Sequence, residues 1–523
     1  MRARAVIEPR HVLVIGGGIA GLVAALDCAR VGIRVTVVEA ADRAGGSVAT
    51  ETVAGIRVDT GAESYATRQG TVRKLVDELG LADAVVTPAS AGAWVRLPNG
   101  VSAPLPKAGL LGIPSNPLAD DVRRVIGWSG AIRAYLDRIR PVLTIGREHN
   151  LGDLVSRRMG KAVLDSLVAP VTRGVYSADP ADLDVTRAAP GLNKALTKAG
   201  SLSGAVALLR AAAPAGSNVE GLAGGMYTLV EAILAELRRR EATVLLGTTV
   251  TELQRQGGST LDSEVAADAQ PATWRALLDD DTTIDADYVI VATPEAEALR
   301  LLAPLSAELA TEQPIQTPTV ELATLVIDAA SLDVKPRGTG VLIADRPEGS
   351  RPAGRAIMAK ALTHSTAKWQ WLADEAGREH PHRHVVRLSY GRLGQANQTL
   401  GLDDEALRAV AVADASEILG VPLDASQVVG FTRTAWVGTL PGAAIGQRER
   451  AERLLDAAVA IGDLDVTGGW LSGTGLASVI PDALAASARI RHLVAASYLE
   501  DGVVVDPHTR TGINDTSPDA NPS

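Results

Sequence analysis

Three glycines at fixed spacing, Gly16-x-Gly18-x-x-Gly21, are the residues whose type and placement most directly imply chemistry. A strand, His11–Ile15, reads in front of them and a helix, Ala20–Arg30, behind. In that setting Gly16 permits a tight turn, Gly18 lets the backbone approach a pyrophosphate, and Gly21 lets the helix pack close to the sheet. The free N–H groups and positive dipole end of the helix then face the phosphates. Glu39 ends a second strand, Arg34–Glu39, eighteen residues after Gly21. Its carboxylate is placed to accept hydrogen bonds from a ribose diol. The pattern predicts a dinucleotide site and leaves NAD and FAD both open.

Other reactive side chains are sparse. His364, His382 and His384 lack metal-ligand spacing, so no metal is expected. Ser201 and Ser203 lack a nucleophile-elbow context. The single cysteine, Cys28, sits in an Ala/Leu-rich helical stretch and reads as a small core residue. No intrachain disulfide can form, as expected in a reducing compartment. Trp369 and Trp371 read as packing residues. A formal net charge of −10 argues against a nucleic-acid partner.

The elements that must position these residues follow from the pattern. Strand, helix and strand at the start of the chain form a βαβ unit, which predicts a parallel, doubly wound sheet. The 46% of hydrophobic residues suffices for a large core, built on Leu, Val, Ile and Ala because Phe431 is the only Phe. The apolar stretch from His11 to Ala29 contains four glycines and Asp27, so strand, turn and helix explain it better than a membrane span or a signal peptide.

Residues 98–117 are rich in Pro and Gly and read as an extended connection. Helical periodicity follows, as in Asp120–Arg138 and Gly152–Leu167. Gly221–Arg240 reads as a turn and helix, Thr243–Gln254 as a strand pair, and Asp287–Thr293 as a buried strand. Thr319–Asp328, Gly340–Ile343 and His384–Ser389 alternate as strands of a mixed sheet, and Asp404–Leu419 is a helix. Glycines return at Gly462–Gly475 before a last helix, Pro481–Ser497. The polar stretches 256–270 and 501–523 read as a surface loop and a disordered tail.

Several motifs resemble one large family of flavoproteins, that of monoamine oxidases, phytoene desaturases and protoporphyrinogen oxidases. Glu39-Ala40-Ala41-Asp42-Arg43-Ala44-Gly45-Gly46-Ser47 resembles its E-x-x-x-R-x-G-G-[R/K] signature, with Ser47 in the basic position. The segment Val58–Ser64 resembles its D-x-G-A turn beside the flavin, and Thr467–Ile480 its C-terminal FAD segment. Gly221–Met226 resembles the turn before a family helix. The resemblance implies FAD and adds Arg43, Gly45, Gly46, Gly61, Ala62, Val250, Trp436, Gly475, Val479 and Ile480 to Gly16, Gly18, Gly21 and Glu39 as cofactor-binding residues. A helix N-terminus near the pyrimidine end of a flavin stabilises the anion formed on reduction. The implied fold class is α/β: a discontinuous, Rossmann-like FAD-binding domain of the GR2 type, a mixed-sheet substrate domain and a helical insertion. The expected parts are 1–90, 216–298 and 426–500 for FAD, 91–117 and 299–425 for substrate, 118–215 for the insertion and 501–523 for the tail. The insertion is the part that would face a membrane.

The interior resembles the bacterial protoporphyrinogen/coproporphyrinogen oxidase branch over nearly the whole chain. The stretches Pro104–Pro114, Pro170–Asp179, Ala359–Trp369 and Arg387–Arg392 carry the likeness. Where that branch has P-x-Y-x-x-G-H, the stretch 440–447 here has alanine for the Tyr and Gln447 for the His. The resemblance implies oxidation of a porphyrinogen, above all coproporphyrinogen III, in haem biosynthesis, with O₂ as acceptor and H₂O₂ as product. It implies no catalytic residue beyond the flavin. Propionates of the substrate would meet Arg68, Arg173, Lys360 and Lys368, and the Gly174 carbonyl would face a pyrrole N–H. It implies a cytoplasmic protein and leaves open a peripheral contact with the inner face of the membrane, hand-over to the next pathway enzyme, and the oligomeric state. Two alternatives stay open: a flavin oxidase or desaturase of another bulky apolar substrate, and a porphyrin-binding flavoprotein without turnover.

Overall fold

The computed structural model describes residues 9–141, 148–212, 219–256, 273–345, 355–395, 397–438 and 444–500. The readings of residues 501–523 as a tail and, save for Gln256, of 256–270 as a loop lie outside them.

Five parallel strands form the first sheet, in the order Thr243–Leu245, Arg34–Val38, His11–Ile15, Tyr288–Val291, Leu464–Val466. The strands are drawn from four separate stretches of the chain, so the sheet is discontinuous in sequence. Both of its faces are covered, and the central strands therefore read as unbroken apolar runs. Val12 and Val14 pack toward the first helix, Ile19–Arg30, in a core shared with Ile233, Leu237, Ile480 and Ile490. Leu13 and Ile15 face the opposite way, among Val250, Leu253, Trp274 and Leu299. That second layer includes a three-stranded antiparallel sheet of Val250–Gln256, Thr273–Leu278 and Thr283–Ala286. The expected pair within Thr243–Gln254 thus divides between two sheets.

Seven strands form the second large sheet, in the order Val428–Trp436, Val320–Asp328, Arg383–Tyr390, Ala361–His364, Gly340–Ile343, Ala93–Arg96, Ser102–Pro104. All pairs are antiparallel except Gly340–Ile343 with Ala93–Arg96. One face packs Leu325, Leu362, Val386 and Leu388 against the helix Asp404–Leu419. The alternate residues, among them Ala361, Thr363, Arg387 and Ser389, point to the other face, as the two-residue period of a strand requires. Val428–Trp436 pairs with Val320–Asp328, so this sheet extends past the boundary expected at residue 425. Sheet membership depends on non-local pairing, which local patterning does not reveal.

The insertion is helical, and its core around Leu151, Leu154, Leu167, Leu183 and Leu192 is continuous with Val95, Ala103 and Ala344 of the seven-stranded sheet and its edge. Its first helix, Asp120–Tyr135, is interrupted at Gly127, whose φ of 69° lies in the left-handed region. Asp137, fully buried, accepts hydrogen bonds from the Leu202 and Ser203 N–H groups at 2.7 and 3.1 Å and pairs with Arg158.

Candidate active site

The glycine motif has the steric form that a phosphate site needs. A Cβ on Gly16 would lie 2.7 Å from the Ala292 carbonyl oxygen, and one on Gly21 would collide with the Gly16 carbonyl. A Cβ on Gly18 would meet nothing within 4 Å. Gly18 is also the N-cap of the first helix and supplies no side-chain partner to its free N–H groups. The turn that carries Gly45 lies against it: the Gly45 N–H donates to the Gly17 carbonyl at 2.8 Å. The Glu39 carboxylate accepts from the Gly17 N–H at 2.6 Å and from the Ala41 N–H at 2.8 Å. It is thereby held at the end of the second strand, beside the glycines.

A cavity of about 600 Å³ runs along these groups. Gly16, Gly18, Glu39, Gly45, Gly46, Ala62 and Val250 line it, and so do Gly475 and Val479 at the start of the last helix, Leu476–Glu500. The cleft therefore meets the N-termini of two helices. Not every expected residue lies along it. Gly21 packs beneath the turn, and Ile480 is fully buried in the core. Arg43 donates to the Thr50 carbonyl at 3.3 Å.

A second cavity, of about 220 Å³, shares Ser47 and Ala62 with the first. Gly61, Gly174, Leu322, Ala361, Thr363, Arg387, Ser389 and Trp436 complete its lining. Trp436 thus lines this cavity, and its indole N–H donates to the Thr60 carbonyl at 2.9 Å. Gly174 faces Leu342: a Cβ would lie 2.6 Å from Leu342 Cδ2, so the end of the leucine side chain would have to shift to admit it. Two strands of the seven-stranded sheet pin the turn between the cavities. Arg387 Nη1 donates to the carbonyls of Asp59 and Gly61 at 3.2 and 2.8 Å, and Nη2 lies 3.1 Å from Glu63.

The ionisable groups around this turn are strongly coupled. Burial opposes ionisation of Glu63, but the charges of Arg387 and Lys368 overcome it and bring its carboxyl down to about 2. Burial pushes Asp59 up to about 6, against the hydrogen bond from the Met226 N–H and with the help of the Glu63 charge.

The four cations expected to meet propionates are each engaged elsewhere. Lys368 pairs with Glu63. Arg173 pairs with Asp179 and lies 3.0 Å from Asp345. Lys360 is buried, donates to Ser177 and to the Gly391 carbonyl at 2.8 Å, and burial brings its amine down to about 7. Arg68 is exposed and donates to Ser478 Oγ at 2.7 Å. The cation that does line the second cavity, Arg387, had a sequence signal: with Ser389 it occupies alternate positions of one strand.

Fold and site together define a dinucleotide-binding α/β protein with a second cavity at one end of its cofactor cleft. The family model for flavin containing amine oxidoreductases matches residues 19–490, and the chain belongs to that family. It is an oxidoreductase, and its cofactor is FAD. The long cleft, the open Gly18, the held Glu39 carboxylate and the two helix N-termini fit that group. The chain is 27% identical to the coproporphyrinogen III oxidase of Bacillus subtilis over 494 residues, 91% of this chain and 97% of the relative. It is 29% identical to the coproporphyrinogen III oxidase of Mycobacterium leprae over 447 residues, 83% and 88% of the two chains. In fold it is similar to a provisionally named protoporphyrinogen oxidase from an Exiguobacterium species, with a TM-score of 0.75 and 24% identity over 94% of this chain and all of the other.

Proposed function

We propose that this enzyme oxidises coproporphyrinogen III to coproporphyrin III, with O₂ as acceptor and H₂O₂ as product, as a step of haem biosynthesis. The observation that carries the reading is the second cavity, joined to the cofactor cleft at Ser47 and Ala62 and walled by the seven-stranded sheet and the insertion. The near full-length likeness to two coproporphyrinogen III oxidases supports the choice of substrate.

Bound FAD supplies the hydride acceptor that the chain's own side chains lack. In this reading Gly16, Gly18, Gly45 and Gly46 bring the backbone to the pyrophosphate, Gly21 seats the helix, Glu39 receives the ribose, and Val250 borders the adenine side. Gly475 and Val479 carry the last helix toward the ring. Gly61 and Ala62 set the boundary between ring and substrate. Gly174 offers its carbonyl to a pyrrole N–H. Arg387 and Trp436 hold the boundary turn and exclude water from it. The working parts are the three FAD-binding pieces, the substrate sheet through Trp436 and the helical insertion.

The pairing of Arg173 and Lys368 with carboxylates and the burial of Lys360 favour a second reading, a flavin oxidase acting on another bulky apolar substrate with fewer acidic groups. Turnover of coproporphyrinogen III and protoporphyrinogen IX under matched conditions tests both. Faster turnover of the tetra-carboxylate, with H₂O₂ formed in step with fluorescent porphyrin, is expected. Turnover of neither sends the assignment to the second reading, and tight porphyrin binding without flavin reduction makes the protein a carrier.

A further inference from the structure

Ser177 holds a backbone conformation that serine rarely adopts. It closes the helix Ala169–Tyr176 with φ 54° and ψ 24°, in the left-handed region, and is 1% exposed. Such strain persists only where the surroundings over-determine it. Three residues earlier, Gly174 lines the second cavity and approaches Leu342 on the strand Gly340–Ile343. The strained residue thus ends the helix that brings Gly174 to the cavity.

A buried amine fixes Ser177. Lys360 is 2% exposed, and its Nζ donates to Ser177 Oγ and, at 2.8 Å, to the Gly391 carbonyl. Its main chain joins the strands on either side: the Lys360 N–H donates to the Ser389 carbonyl at 2.8 Å, and its carbonyl accepts from the Ile343 N–H at 3.1 Å. The Ser177 carbonyl in turn accepts from the Leu393 N–H at 2.9 Å. One side chain therefore ties the end of the helix to the end of the strand Arg383–Tyr390, which carries Arg387 and Ser389 of the same cavity.

Among the described residues no carboxylate takes part in this link. Both acceptors are neutral oxygens, and burial, then the charge of Arg392, disfavours the ammonium form. A neutral amine has two N–H groups for the two acceptors, whereas an ammonium would bring a third donor and a charge into a site closed to water. A second link runs in parallel: Arg173, beside Gly174, lies 3.0 Å from Asp345, which also pairs with Arg392. The Arg173 and Asp345 side chains are 17% and 32% exposed, so water competes for that pair and weakens its hold. The buried link is the one that decides where the helix end sits.

We propose that Lys360 is a positioning residue for the substrate: its amine latches the end of the helix Ala169–Tyr176 to the seven-stranded sheet and so fixes the spacing of Gly174 and Ser389 across the second cavity. It touches no substrate itself, unlike the propionate contact expected from the sequence. The latch is independent of what binds, and its part in substrate binding rests on the reading of the second cavity given above.

Hydrogen exchange and porphyrin binding of the full-length, flavin-loaded protein test it. Lys360→Met keeps the reach of the side chain and removes the donor. Ser177→Ala removes the acceptor and serves where the first variant does not fold. Each is expected to speed amide exchange over Thr172–Ser177 by ~tenfold or more, with Leu151–Met159 left at the wild-type rate. Each should raise the KM for coproporphyrinogen III and the Kd for coproporphyrin III by ~tenfold, with a smaller effect on kcat. The double variant should do no more than the worse single variant, because both remove one contact. Exchange at the wild-type rate in both variants would overturn the latch, whatever the cavity binds. Faster exchange with KM and Kd unchanged would overturn the positioning role and leave the substrate reading standing. A wild type that binds neither porphyrinogen nor porphyrin removes the substrate reading and the positioning role with it.

Discussion

Gly18 and Glu63 show how single residues carry the account. A side chain at Gly18 would project from the N-terminus of the first helix into the cofactor cleft, where no protein atom stands in its way. Gly18→Val should therefore fold and purify without FAD, with flavin-to-protein ratio as the measurement; a yellow variant of full stoichiometry would show that the backbone there does not approach the pyrophosphate. Glu63 makes a prediction about acid. Its folded value lies near 2, below the ordinary 4.5, so its stabilising contribution is complete above 4.5 and is lost as pH falls through about 2. The melting-temperature gap between wild type and Glu63→Gln should accordingly narrow as pH is lowered across that range, and a constant gap would contradict the pairing. Asp59 acts with the opposite sign. Its value is raised to about 6, so its favourable contribution is present below its ordinary 3.8 and lost as pH rises through about 6. Asp59→Asn should lose least stability at neutral pH, which the same melting series checks. The glycines and Glu39 were legible in sequence because their spacing is local. The contacts of Arg173 with Asp345, of Lys360 with Ser177 and of Lys368 with Glu63 were not, since those residues are distant in sequence and meet only through the fold.

At the scale of elements, the insertion depends on a polar junction. Asp137, in the turn Leu136–Ile139 that follows the helix Asp120–Tyr135, closes that helix onto the N-terminus of Leu202–Ala212 through two backbone N–H groups and onto Arg158. Removing one partner of a buried pair leaves the other charge uncompensated, at a cost of about 3–5 kcal/mol. Arg158→Met should lower stability to denaturant by that amount, and a loss below ~1 kcal/mol would mean that the carboxylate finds other partners. Arg383–Tyr390 was readable in part from its two-residue alternation, whereas Val320–Asp328 is buried at eight of its nine positions and was legible only as an apolar run. Gly127 was read within one continuous helix, Asp120–Arg138, whereas its left-handed backbone breaks that helix and turns the small residues inward.

For the whole molecule, the arrangement of two large sheets and a helical insertion places one cavity against the other. The boundary turn, residues 59–63, belongs to the dinucleotide-binding part of the chain, while Arg387 and Trp436 hold it from the seven-stranded sheet. Arg387→Met should thus weaken flavin retention and substrate turnover together, whereas Arg387→Lys should restore part of the first; unchanged flavin content in both would separate the two cavities functionally. Under the proposed function, substrate in the second cavity reduces the flavin in the first directly. Rapid mixing of the flavin-loaded enzyme with coproporphyrinogen III in the absence of O₂ measures this most directly. Flavin absorbance should bleach in a single turnover, with full recovery and H₂O₂ release when O₂ is admitted. A flavin that stays oxidised while the porphyrinogen binds would contradict it.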